Sequence, residues 1–107
     1  MNQERRHVVR QYLRVNAMLH VGHAPAVAVH TIDVGLAGMA LNAAHPLAVG
    51  ATVQLRFDVP VDGKLESVTT DGSISYCVPA APGFKVGIIF ETLDADAKTL
   101  IVAYLAT

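Results

Sequence analysis

Residues 52 to 59 alternate without a fault. Val53, Leu55, Phe57 and Val59 are apolar, and Thr52, Gln54, Arg56 and Asp58 between them are polar. Only an extended strand sends every second side chain to the same side, so this segment must offer one face to a core and the other to water. The segment 60–64 that follows holds Asp62-Gly63, a pair suited to a two-residue hairpin turn. The chain therefore contains at least one β-hairpin with a buried face.

The same period runs through most of the chain. Val15, Ala17, Leu19 and Val21 alternate with Asn16, Met18 and His20 and predict a first strand. A turn over 22–25 leads to a second strand over 26–32, dense in Val and Ala. Asp33, Gly35 and Gly38 separate it from a short third strand at 39–41, and these residues read as a tight turn. Residues 42–50, with Pro46 and Gly50, are a connecting loop. Residues 65–78 are long for one strand, and Asp71-Gly72 marks a bulge or bend within them. In that strand Ile74, Tyr76 and Val78 are expected to share a buried face. A loop over 79–83 precedes a last strand over 85–90, with Val86, Ile88 and Phe90 on one side. Gly87 inside it predicts a barrel bend or a close backbone contact. Asp94 reads as a helix N-cap, with Asp96 beside the positive helix end. Ala97, Leu100, Ile101, Tyr104 and Leu105 then recur at helical spacing over 94–105.

About six short strands followed by one helix predict a mainly β fold, a small six-stranded antiparallel β-barrel closed on one side by a C-terminal α-helix. The 107 residues make a single domain, with a basic arm over 1–12, the barrel over 15–90 and the helix after it. Hydrophobic residues make up 52% of the chain and charged ones 16%, which argues against an intrinsically disordered chain.

Charge is distributed unevenly. The net charge is −1, yet Arg5, Arg6, Arg10 and Arg14 stand against Glu4 within the first fourteen residues. A small basic patch on an otherwise acidic domain suits a compact anion better than a long polyanion, which argues against DNA or RNA. The polar, basic arm is expected to be mobile without a ligand. Cys77 is the one cysteine, so no intrachain disulfide is expected, and a reducing compartment follows. Asn16 and His20 interrupt any apolar stretch after Arg5 and Arg6, so no signal peptide and no membrane insertion are expected. The reading is a soluble, cytoplasmic domain.

Two motifs carry a resemblance. Arg6 and Arg10 are spaced RxxxR within ERRHVVRQ, and Asp33-Val-Gly35-Leu-Ala-Gly38 follows some twenty residues later. In this order they resemble the PilZ domain, the bacterial receptor module for cyclic di-GMP. That family has RxxxR and then Asp or Asn, x, Ser, x, x, Gly. The stretches PLAVGATVQLRF and GFKVGIIF and the closing helix also fall in the family's order, so the likeness covers nearly the whole chain. Gly35 stands at the serine position. The resemblance implies a six-stranded barrel with a packed helix, and no catalysis. It implies cyclic di-GMP as ligand, held by Arg6, Arg10, Asp33, Gly35 and Gly38, with Arg5 as an auxiliary charge.

The chemistry of these residue types agrees. A guanidinium pairs bidentately with phosphate and with O6 and N7 of guanine, and it stacks on the purine face. A carboxylate accepts from guanine N1–H and N2–H₂. Glycines let a ligand approach the backbone. Losing the serine hydroxyl costs about 1–3 kcal/mol if it made a hydrogen bond. The implied mechanism is an ordering switch, in which the arm folds across the barrel on ligand binding and a downstream protein reads the changed surface. The monomer and the homodimer both remain open, and motility and biofilm formation are among the outputs the family implies.

A second reading stays beside it. Some family members keep the fold without binding nucleotide and act as protein-interaction adaptors, for example in type IV pilus assembly. Gly35 favours that reading; Arg6, Arg10 and Asp33 oppose it. Other chemistry is poorly served. His7, His20, His23, His30 and His45 lack carboxylate or cysteine partners at ligand spacing, so no metal site is expected. Cys77 reads as a small hydrophobe, and Ser73 and Ser75 lie in no nucleophile motif. Gly35-Leu-Ala-Gly38 lies between strands, unlike the GxxG loop of RNA-binding KH domains.

Overall fold

The computed structural model describes residues 9–107. It contains seven strands and one helix: β1 (Arg10–Tyr12), β2 (Asn16–Val21), β3 (Val27–Gly35), β4 (Gly38–Ala43), β5 (Thr52–Val61), β6 (Lys64–Ala80), β7 (Gly83–Thr92) and α1 (Ala95–Leu105). All pairings are antiparallel. Six strands follow one another in the order β3-β2-β5-β6-β7-β4, and β3 also pairs with β4, which closes the ring. The fold is mainly β with one C-terminal helix, as the alternation predicts.

The alternating strand is the best-behaved element. Val53, Leu55, Phe57 and Val59 are all buried. They meet Leu19, Val34, Met39, Leu41, Val68, Ile74, Val86, Ile88 and Ile101 in one core. The β5–β6 hairpin turns at Asp62 (φ 52°) and Gly63 (φ 78°). Two successive positive φ angles match the right-handed twist of the flanking strands, so pairing continues to Val61↔Lys64. The turn is thus tighter than residues 60–64.

Asp94 caps α1 as expected, its carboxylate accepting from Ala97 N at 2.7 Å. The helix buries Ala97 and Ile101 and packs against β5, β6, β1 and β3.

Three sequence expectations change. First, Arg10–Tyr12 are not part of a free arm; they pair with Gly35, Val34 and Asp33 of β3. β2 pairs along Val27–His30 of that strand, so β1 and β2 are one line of chain, interrupted at residues 13–15. The interruption is filled from the side. Thr31, fully buried, donates its hydroxyl to Leu13 O and accepts from Val15 N at 2.9 Å. Leu13 N in turn donates to Ile32 O at 3.0 Å.

Second, Asp33 and Gly35 lie in β3 and not in the turn, which shrinks to Leu36 and Ala37. Third, Tyr76 and Val78 do not share the buried face of Ile74. Ile74 is 1% exposed, whereas Tyr76 is 38% and Val78 45% exposed. The register shifts between Ile74 and Tyr76, so Ser75 has no partner on β7 and every later side chain of β6 changes side. The bend foreseen at Asp71-Gly72 is present, as a register shift between those two residues.

The Thr31 bridge generates a test. Thr31→Val keeps the shape but leaves Leu13 O and Val15 N without their partner. It should lower unfolding stability in urea by about 2 kcal/mol, whereas Thr31→Ser should cost less than half as much.

Candidate functional site

The outward-facing carboxylate of Asp33 depends on a bulge. Val29 and Thr31 of β3 are buried, and strict alternation would turn Asp33 inward as well. Instead the register to β4 shifts between Thr31 (opposite Leu41) and Asp33 (opposite Ala40), which leaves Ile32 unpaired. Val34 then takes the core position and Asp33 reaches the outer surface.

There Asp33 meets Arg10. Arg10 Nη1 lies 2.6 Å from Asp33 Oδ1, and the two side chains are 39% and 28% exposed. The same carboxylate oxygen accepts from Ala40 N at 3.2 Å, which ties it to β4. Half-exposed ion pairs contribute at most about 1 kcal/mol to stability, so this pair is better understood as holding two charged groups in place.

Gly35 lies directly beneath the arm. A Cβ on Gly35 would stand 2.6 Å from Val9 O and 3.5 Å from Arg10 Cδ. The space a serine would use is therefore filled by the backbone and side chain of the arm. Gly38 faces elsewhere. A Cβ there would overlap Ile88 O on β7, so close strand approach accounts for this glycine. Arg5 and Arg6 lie outside the described residues.

Around the ion pair the sheet forms a row across five strands. Tyr12 pairs with Asp33, Asp33 with Ala40, Ala40 with Gly87, and Gly87 with Tyr76. Neighbouring strands lie ~4.8 Å apart, so Gly87 is about 10 Å from Asp33 along the row. The Tyr76 ring covers Gly87, leaving no room for a Cβ. This is the close contact that a glycine within β7 foretold, but made by a side chain. Tyr12 and Tyr76 were not among the residues the sequence points to. Tyr12 falls in the stretch read as a free arm, and no local pattern announces the unpaired Ser75 that turns Tyr76 outward.

A cavity of about 450 Å³ between β2, β3 and β5 is lined by Asn16, Met18, His30, Arg56 and Asp58 among others, and includes none of Arg10, Asp33, Gly35 and Gly38. Among the described residues no three His, Cys, Asp or Glu side chains gather as a metal site, and no helix is long and apolar enough to cross a membrane. Cys77 is half-buried, and its sulfur accepts from Leu47 N at 3.4 Å.

A fold of this topology, with this ion pair beside it, can be set against known proteins. The sequence matches the family model for the PilZ domain over residues 3–107, and the chain belongs to that family. No curated protein matches it in sequence. Three solved structures resemble it. The Bacillus subtilis inhibitor of motility (MotI/DgrA) superposes with a TM-score of 0.82 at 13% identity, over 99% of this chain and 51% of that one. Borreliella burgdorferi PlzA in complex with c-di-GMP gives 0.64 at 14% identity, over 84% and 32%. The PilZ domain of CeSA from a cellulose-synthesizing bacterium gives 0.62 at 18% identity, over 87% and 90%. The chain thus spans about half the length of MotI, and these likenesses show the fold.

The fit of Gly35 under the arm yields a prediction. Gly35→Ala should weaken the β1–β3 pairing, seen as at least tenfold faster amide exchange at residues 10–12. Exchange in β5 and β6 should stay unchanged.

Proposed function

We propose that this PilZ domain is a receptor for cyclic di-GMP and binds it on the outer face around Arg10 and Asp33. The reading rests on membership of the PilZ family and on one observation, the Arg10–Asp33 pair mounted beside Gly35. Both groups are held on the outer face, and they are complementary to the two kinds of polar edge on a guanine nucleotide. Arg10 takes a phosphate or the O6/N7 edge, and Asp33 accepts from N1–H and N2–H₂. Arg6 is the second motif arginine and Arg5 an auxiliary charge, both closing over the ligand from the segment that precedes β1. Gly35 and Gly38 complete the motif, Gly35 by leaving room for Val9 and Arg10.

Binding exchanges partners and creates no new charge. Arg10 gives up part of its contact with Asp33 to the ligand, and Asp33 keeps its bond from Ala40 N. The signal is then passed to a protein partner through the arm. The half-buried Cys77, with no disulfide partner, fits the reducing cytoplasm proposed as the site of action. No step calls for catalysis or a metal.

The adaptor reading draws on Gly35, because the serine hydroxyl is absent and the space is taken by the arm itself. Calorimetric titration with cyclic di-GMP separates the two. Saturable binding by the wild-type chain, weakened at least tenfold (~1.4 kcal/mol) in Arg10→Ala, is the expected result. No heat and an unchanged NMR spectrum at high ligand concentration would overturn the receptor reading and leave the adaptor.

A further inference from the structure

Strand edges that face solvent invite pairing with other chains, and folded proteins normally blunt or cover them. The ring has no edge where it closes, but the distal half of the β5–β6 hairpin runs beyond that closure. β7 takes up pairing with β6 only from Asp71 onward, opposite Thr92, so residues 64–69 of β6 pair with β5 alone. The direction of their backbone groups follows from the ladder. Gly22 N donates to Thr52 O at 3.1 Å, so even-numbered residues of β5 turn their N–H and C=O groups to β2 and odd-numbered ones to β6. The β6 partners of those odd-numbered residues are even-numbered. Leu65, Ser67 and Thr69 therefore turn their N–H and C=O groups away from β5, and among the described residues no backbone group meets them.

Comparable edges elsewhere are protected. Pro60 stands on the opposite edge of the same hairpin and has no N–H. β6 beyond Ser73 is covered by the loop before β5, where Gly50 N donates to Ile74 O at 2.7 Å and Leu47 N to Cys77 Sγ at 3.4 Å. At the edge of β1, Tyr104 donates its hydroxyl to Tyr12 O. The 64–69 edge has no proline, no register shift against β5 and no such cover. It carries instead Leu65, at 67% the most exposed large apolar side chain among the described residues. Lys64 and Glu66 flank it, on the other face of the strand.

This edge is complementary to itself. Two copies related by a two-fold axis pair antiparallel, and the residue on the axis decides which side chains meet. An axis at Ser67 or further along puts the second copy opposite Asp71, where β7 already lies. An axis at Lys64 or at Glu66 sets like charges against each other. An axis at Leu65 joins the two exposed leucines on one face and, on the other, sets Lys64 of each copy opposite Glu66 of its mate. We infer that the 64–69 edge is a self-association surface, on which a second copy of this chain pairs antiparallel about Leu65. The two Leu65 residues exchange N–H···O=C bonds, and the sheets of the two copies become continuous. So short a contact makes a weak, reversible dimer, with a dissociation constant of about 0.1–1 mM. The surface shares no residue with the Arg10–Asp33 site, and the inference does not depend on the receptor reading.

The test is sedimentation velocity of the full chain from about 0.01 to 1 mM, using wild type, Leu65→Pro, Lys64→Glu, Glu66→Lys and the double variant that swaps the two charges. Proline at 65 removes an N–H that the β5 ladder does not use, so Leu65→Pro should fold and stay monomeric throughout. Each single charge reversal should weaken association about fivefold or more, and the swapped double variant should return to within about twofold of wild type. Mixing the two single variants should restore association as well, because their edges are again opposite in charge. Thermal melting of each variant separates lost contact from lost folding. In the wild type, amide exchange at Leu65 should slow as concentration rises, while exchange at Arg56 on β5 should not change. A wild-type chain that stays monomeric over the whole range would overturn the inference. So would a dimer that Leu65→Pro leaves intact, or one that neither single reversal weakens.

Discussion

A strand keeps one face on the core only while its pairing register holds, and this domain depends on where that register breaks. β3 is the strand most burdened. It pairs with β1 and β2 along one edge and with β4 along the other, and it closes the ring. A β3 of perfect alternation would turn Asp33 into the core beside Met39 and Leu41 and push Val34 out, at the cost of several kcal/mol for an unpaired charge. The unpaired Ile32 removes that conflict. One extra residue lets the same strand supply Thr31 to the core side and Asp33 to the outer side, with Val34 returning to the core.

The second bulge, at Ser75, acts on the opposite side of the same row. It turns Tyr76 out over Gly87 while Ile74 stays in the core. Bulges re-aim side chains without changing the number of strands, so a closed ring can carry a specialised patch on its outer surface. Between the two bulges the row is floored by small residues. Ala40 is buried, yet it does not belong to the hydrophobic core, because it lies on the outer side beneath its neighbours.

β1 links this patch to the C-terminal helix. Its backbone and side chains are held by β3 on one side and by Tyr104 and Thr107 on the other. Movement of Arg10 and Tyr12 away from β3 would therefore also disturb the end of α1, which gives a binding event at the arm a physical route to a second surface. Gly35 belongs to this arrangement. Its missing side chain is matched by the position of Val9 and Arg10, so the departure from the family's serine is accommodated in the packing of the arm.

Much of this was legible in the amino-acid order. The fault-free alternation of 52–59, the Asp62-Gly63 hairpin, the Asp94 cap and the RxxxR and Asp-Gly motifs are local signals. Each acts through the conformational preference or periodicity of a few neighbouring residues. The alternation, the hairpin and the cap reappear in the structure, whereas Asp33 and Gly35 move from the expected turn into β3 and Arg6 lies outside the described residues. The bulges at Ile32 and Ser75 are not local in that sense. An unpaired residue is defined against a partner strand, and the partners β4 and β7 are set by ring closure. So the sequence determined that Arg10 and Asp33 belong to the motifs that resemble the PilZ pattern, and that most of the chain forms strands around one core. Only the tertiary structure decided that Asp33 and Tyr76 face outward, that Gly38 answers to Ile88, and that Tyr12 stands firmly beside the ion pair. The reason is that side-chain direction in a strand is inherited from register, and register is a property of pairs.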